Sequence, residues 1–97
     1  MLDRQYFVYI LTNISNAVLY IGVTNNISRR IEEHKSGSVA SFTKKYHCYK
    51  LVYYEVFETA YDAITREKQL KAGSRKKKEV LIAALNPTWK DLLHDLA

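Results

Sequence analysis

Apolar and polar positions fall into a readable order along the 97 residues. Gln5 to Thr12, QYFVYILT, is dense in aromatic and β-branched residues with no breaker, which predicts a strand. Asn13-Ile-Ser-Asn16 predicts a turn, and Val18 to Val23 a second strand. If four residues close this hairpin, Thr12 pairs with Ala17 and Tyr9 with Tyr20, so two phenols lie side by side on one face. Thr24, Asn25 and Asn26 include good N-cap types, and a helix is expected from Ile27 to about Lys35 with Glu32 and Glu33 outward. Ser36 to Lys45 reads as a polar, basic loop, and Tyr49 to Phe57, YKLVYYEVF, as a third strand. Thr59 is placed to cap a helix from Ala60 to about Ala72 that Gly73 ends. Lys76 to Leu85 forms another, stopped by Asn86-Pro87, and a short last helix is expected around Trp89 to Leu96. The order β-β-α-β-α-α predicts an α+β fold, a small three-stranded, mainly antiparallel sheet flanked by helices. No repeat or linker divides the chain, so residues 1–97 are expected to form a single domain.

Some polar residues sit where this pattern wants apolar ones. Ile27 and Ile31 define the inward stripe of the first helix, and Arg30 and His34 project within about 60° of it by the 3.6-residue period. Taken singly, they read as an arginine stem along the core edge and a histidine satisfied by a backbone carbonyl. As a pair one turn apart they point to a shared site. In the later helix, Ala60, Ala63, Ile64 and Leu70 mark the expected buried face, and Glu67 lies between Ala63 and Ile64 in angle. A carboxylate there either pairs internally, with Lys71 one turn on, or serves as a hard oxygen ligand for Mg²⁺. Tyr9 and Tyr20 carry the same ambiguity: a packed pair of rings, or a phenol whose depressed pKa suits it to general-base work. Cys48 beside His47 is no nucleophile pair, because neighbours on an extended segment point to opposite faces.

Composition narrows the function classes. With 47% hydrophobic and 26% charged residues the chain reads as globular, and no stretch approaches the ~20 apolar residues of a membrane span. Without a signal-peptide pattern or a membrane partner, a cytoplasmic location is expected. One Cys and three scattered His offer neither an internal disulfide nor zinc-ligand spacing. The net charge is +5, yet Lys68, Lys71, Arg75, Lys76, Lys77 and Lys78 place six positive charges in eleven residues without an acid. Such a window is either a solvated helix face or a grip on phosphate.

Together these residues bear a family resemblance. From about Tyr6 to Leu92 the chain resembles a stand-alone GIY-YIG domain, the nuclease module of homing endonucleases, of nucleotide-excision-repair nucleases and of structure-specific nucleases. The second motif stands as Tyr20-Ile21-Gly22; the first reads Phe7-Val8-Tyr9, keeping the Tyr and replacing the Gly and Ile. The resemblance implies that Tyr9 and Tyr20 are the motif tyrosines, Arg30 the catalytic arginine, and Glu67 the metal-binding glutamate. It places His34 where the family often has a His or Tyr, and matches Asn86 loosely to a C-terminal Asn of some branches.

A single Mg²⁺ or Mn²⁺ on Glu67 is implied with it, and DNA, with RNA as the alternative, as the partner of Lys68, Lys71 and Arg75 to Lys78. Gly22 is expected to leave room for substrate to approach the strand end. The activity so implied is a divalent-metal-dependent endonuclease that hydrolyses DNA phosphodiester bonds, selective for DNA structure and linked to repair or recombination. A protein partner or a homodimer would supply further specificity. The alternatives are a non-catalytic nucleic-acid-binding module of the same fold, and a protein-interaction domain in which Glu67 pairs with Lys71.

Overall fold

The computed structural model describes residues 5–39 and 41–96. Its elements run β1 (Tyr6–Thr12), β2 (Leu19–Thr24), α1 (Ile27–Ser36), α2 (Ser41–Tyr46), β3 (Lys50–Phe57), α3 (Ala60–Ala72), α4 (Arg75–Leu85) and a closing 3₁₀ turn (Leu93–Leu96). The strands form one antiparallel sheet in the order β2-β1-β3, so β1 is central and β2 an edge. This is the expected α+β architecture, with one helix more than the pattern predicted.

Because side chains alternate along a strand, β1 feeds two cores. Val8 and Ile10 pack with Ile21, Val52, Ala63, Leu70 and Ile82, against α3 and α4. Tyr9 and Leu11 pack on the opposite face with Ile27, Ile31, Cys48 and Leu51, against α1. Ile27 and Ile31 are each buried, which favours the docked helix by roughly 1.5–3 kcal/mol apiece. Asn26 caps α1, its side chain accepting from the Arg29 N–H at 3.0 Å. Gly37 ends it in the left-handed region at φ 79°, where its own N–H and that of Ser38 take up the His34 and Glu33 carbonyls.

The hairpin differs from expectation by two residues. Thr12 pairs with Leu19, not Ala17, and Tyr9 faces Gly22, not Tyr20. Asn13 is the cause: its carboxamide oxygen accepts from both Ala17 and Val18 N–H (2.8 and 3.2 Å), and Thr12 donates its hydroxyl to the Val18 carbonyl. The loop therefore stays open through Val18. A two-residue shift preserves the strand's alternation, so Tyr9 and Tyr20 remain on one face as diagonal neighbours.

Three further expectations are corrected. The stretch Ser36 to Lys45, read as loop, contains most of α2 (Ser41–Tyr46), whose Thr43 is buried. Ile64 is 44% exposed, because the buried side of α3 centres on Ala63 and Leu70 and leaves Glu67, not Ile64, at its edge. The short last helix expected around Trp89 to Leu96 is reduced to the 3₁₀ turn: Trp89 takes a left-handed φ of 55°, and Asp91 accepts from the N–H groups of Leu51 and Leu93. Asn86 fastens this segment. Its Nδ2 donates to the carbonyl of Val52, the residue left over at an irregularity in the β1–β3 pairing, and to that of Lys90. Among the described residues no helix is long and apolar enough to cross a membrane.

Candidate active site

Tyr9 lies at the centre of the site because Gly22 opposes it. A Cβ at residue 22 would fall 2.3 Å from Tyr9 Oη and 2.5 Å from Cζ, so the ring occupies the volume that a side chain would fill. Gly22 thus seats the tyrosine. The expectation that its missing Cβ opens a path for substrate is corrected, since that space is already taken.

The Tyr9 hydroxyl is 2.9 Å from His34 Nε2, and His34 Nδ1 is 2.8 Å from Thr43 Oγ1. All three residues are buried. His34 is therefore satisfied by side chains from two other elements rather than by a backbone carbonyl. Burial pushes the Tyr9 pKa well above the ordinary phenol range, Tyr20 and Glu67 adding to the rise while Arg30 opposes it by its charge and its N–H. A depressed pKa at Tyr9 is thus corrected, because an unpaired phenolate is disfavoured where water is excluded. Burial also lowers the His34 pKa, and the Arg30 charge lowers it further against the pull of Glu33, so the ring is neutral near pH 7.

Arg30 reaches this cluster from α1 with its side chain 30% exposed. Its Nε lies 2.9 Å from Glu33 Oε1, an ionic contact poorly aligned as a hydrogen bond, so the buried N–H has no directed acceptor. Glu33, expected outward, turns to this cation. Tyr20, half-buried, stands edge-on to His34 at 5.1 Å between ring centres, 6.5 Å from Tyr9 and 6.1 Å from Phe42.

Tyr20 also lines a cavity of about 400 Å³, shared with Phe42 of α2, Lys71 of α3, and Arg75 and Lys78 of α4. Because β2 is an edge strand, this cavity joins the side chains of both sheet faces around it. Glu67 of α3 is not in the cavity lining but pairs with it through Lys71: its side chain is 18% exposed and Oε2 lies 3.0 Å from Lys71 Nζ. The internal ion pair read from the sequence is thus present, and the carboxylate is also near enough to oppose ionisation of Tyr9.

The basic window divides into two kinds. Lys68, Lys76 and Lys77 are exposed on α3 and α4. Arg75 is a brace: Nη1 and Nη2 donate to the Ala17 and Asn16 carbonyls at 2.7 Å each, and Nε meets Glu79 at 3.0 Å. Lys78 Nζ donates to the Gly73 carbonyl at 2.6 Å. Arg75 thus ties the hairpin loop to the start of α4. Cys48 is buried and its thiol pKa raised by burial, so it stays protonated and unreactive.

Thr43, Phe42 and Glu33 have places in the site that the sequence pattern did not reveal. Thr43 and Phe42 belong to a helix of six residues, too short to display an apolar stripe, and Glu33 owes its place to side-chain direction rather than helical angle.

A family model described as "GIY-YIG catalytic domain" matches residues 5–80. A UPF0213 protein of Limosilactobacillus reuteri is 38% identical over 81 residues, 81% of this chain and 83% of that protein. One of Haloquadratum walsbyi is 37% identical over 80 residues, 82% and 89% of the two chains. Among solved structures, the solution NMR structure of a UPF0213 protein from Bacillus halodurans is similar with a TM-score of 0.57 at 30% identity, covering 92% of this chain and 94% of that one.

Proposed function

This chain belongs to the GIY-YIG nuclease family, and from that premise we propose that it is a divalent-metal-dependent endonuclease hydrolysing DNA phosphodiester bonds. The observation that carries the reading is the buried Tyr9 hydroxyl, 2.9 Å from His34 Nε2, with the Arg30 cation beside it and the Glu67 carboxylate within electrostatic reach. A core built only for stability does not need a charged cluster beside a buried phenol–imidazole pair.

Nucleases of this family generally use a divalent metal. The donor set here suits Mg²⁺ or Mn²⁺, which take one or two protein carboxylates and fill their remaining positions with water and phosphate oxygens. Glu67 supplies one such carboxylate, and its partner Lys71 is an exposed ammonium free to swing toward phosphate. Among the described residues no three His, Cys, Asp or Glu side chains gather at one point, so the reading rests on Glu67. Such an ion, when bound, supplies Lewis-acid stabilisation of charge on the scissile phosphate and the leaving 3′ oxygen.

The chain's own groups do the rest. Arg30, released from Glu33, balances charge on the non-bridging oxygens, where one fixed donor is worth about 3–4 kcal/mol of barrier. Tyr9 takes a proton from the attacking water as its own passes to neutral His34 Nε2. The phenol need not ionise beforehand, which its raised pKa would oppose. Tyr20 and Phe42 wall the cavity, and Lys68, Lys76 and Lys77 offer free ammonium groups to the backbone.

The second reading, a binding module without turnover, is favoured by the Glu67–Lys71 pair. Incubation with single-stranded, flapped and branched DNA plus Mg²⁺ or Mn²⁺ separates the two and tests selection of DNA by structure. The nuclease reading expects at least one substrate to be cut to 5′-phosphate and 3′-hydroxyl ends, and Glu67→Ala to bind that substrate without cutting it. DNA bound but left intact by the wild type in every metal and on every substrate would establish the binding module instead.

A further inference from the structure

The hydrogen bond from His34 to α2 has a role that the family likeness does not assign. Tyr9 is 1% exposed, so its one phenolic proton requires an acceptor inside the protein. Arg30 beside it only donates, whereas His34 Nε2 stands at 2.9 Å and accepts when unprotonated. A neutral imidazole with a bare Nε2 carries its proton on Nδ1, and the atom facing Nδ1 is Thr43 Oγ1 at 2.8 Å. Thr43 is wholly buried on the inner side of α2, and its carbonyl is bound by the Cys48 N–H, which holds the turn that presents the hydroxyl.

We propose that Thr43 is a positioning residue: by accepting from His34 Nδ1–H it fixes the tautomer whose Nε2 receives the Tyr9 proton. This rests on the nuclease reading for its purpose but on the hydrogen-bond geometry for its existence. In the step it serves, the attacking water loses a proton to Tyr9 Oη, and the phenol's proton moves to Nε2. The imidazolium then keeps its Nδ1–H on Thr43. With the opposite tautomer Nε2–H would point at Tyr9 Oη, and no base would stand ready for the phenolic proton. Orientation of an imidazole by its second nitrogen is a general device for setting which nitrogen reacts.

Long-range proton–nitrogen correlation spectra of the isotope-labelled protein at neutral pH read the tautomer directly, without a variant. Wild type should show His34 protonated at Nδ1 and bare at Nε2. Thr43→Val, which keeps the shape and removes the acceptor, should shift the ring toward the Nε2–H form or a mixture, and Thr43→Ser should restore it. Cleavage should follow: a fall of roughly tenfold or more in kcat for Thr43→Val with little change in KM, and near wild-type turnover for Thr43→Ser. An Nε2–H tautomer in the wild type overturns the assignment whether or not DNA is cut. So does a tautomer that Thr43→Val leaves unchanged, whereas unaltered kcat in a Thr43→Val protein whose tautomer has moved overturns the catalytic use of that tautomer. A wild type that shows the Nδ1–H tautomer but cleaves nothing overturns the nuclease reading and the catalytic use of the tautomer, while the hydrogen-bond assignment stands.

Discussion

Tyr9 owes its position to a residue with no side chain. Any Cβ at Gly22 collides with the Tyr9 hydroxyl end, and the ring has β1 behind it and His34 ahead of it. Gly22→Ala should therefore cost about 1–3 kcal/mol of stability, as overpacking of a filled core does, and move Tyr9 off His34. Denaturant titration and a cleavage assay check this: a stable, fully active alanine variant would mean that the ring has room to spare. His34 makes the site sensitive to acid. Its folded pKa lies below the ordinary 6.5, so as pH falls the unfolded chain takes up the proton first. The stability it contributes is fully present above about pH 6.5 and is lost as pH falls through its folded pKa. Activity should fall over the same window, because a protonated ring receives nothing from Tyr9. His34→Gln should lose most turnover and flatten the acid limb of a melting-temperature profile between about pH 7 and pH 5. An unchanged limb would place the titrating group elsewhere.

At the scale of elements, the strands and longer helices were legible in the sequence because each repeats its signal several times. α3 runs over the expected residues with Thr59 as its cap, and β1 shows its aromatic and β-branched run without interruption. The hairpin register was not legible, since it depends on one carboxamide, Asn13, bonding two backbone N–H groups. α2 was hidden for a related reason: its burial rests on single tertiary contacts, such as Thr43 with His34, that leave no periodic trace. The same contrast separates the members of the basic window, identical in charge but different in surroundings. Arg75→Ala should lower stability by about 1 kcal/mol by freeing the Asn16 and Ala17 carbonyls, with DNA affinity reduced mainly through loop movement. Lys76→Ala and Lys77→Ala should leave melting unchanged, and each ammonium removed from a DNA phosphate should lower the log–log salt slope of binding by about 0.7–0.9. Anisotropy titrations over a range of salt, paired with thermal melts, distinguish the two groups. A salt slope unmoved by both lysine variants would remove this face from the DNA interface.

Across the whole molecule, the two halves of the site come from distant parts of the chain. The hairpin and α1 bring Tyr9, Tyr20, Arg30 and His34, and α3, packed across β1 and β2, brings Glu67 with its partner Lys71 in the cavity beside Tyr20. The residue types on each half were legible because polar groups stood close to apolar stripes. Their meeting was not, because it depends on β2 being an edge and on α3 crossing it. The central claim is that these halves make one centre around a single ion. Titration of Mn²⁺ into isotope-labelled protein tests it through paramagnetic broadening of backbone amides. Broadening centred on Glu67 and spreading to Tyr9, Tyr20 and Arg30, absent in Glu67→Gln at the same ion concentration, is the expected result. Broadening centred elsewhere, or equal in the two proteins, would contradict it.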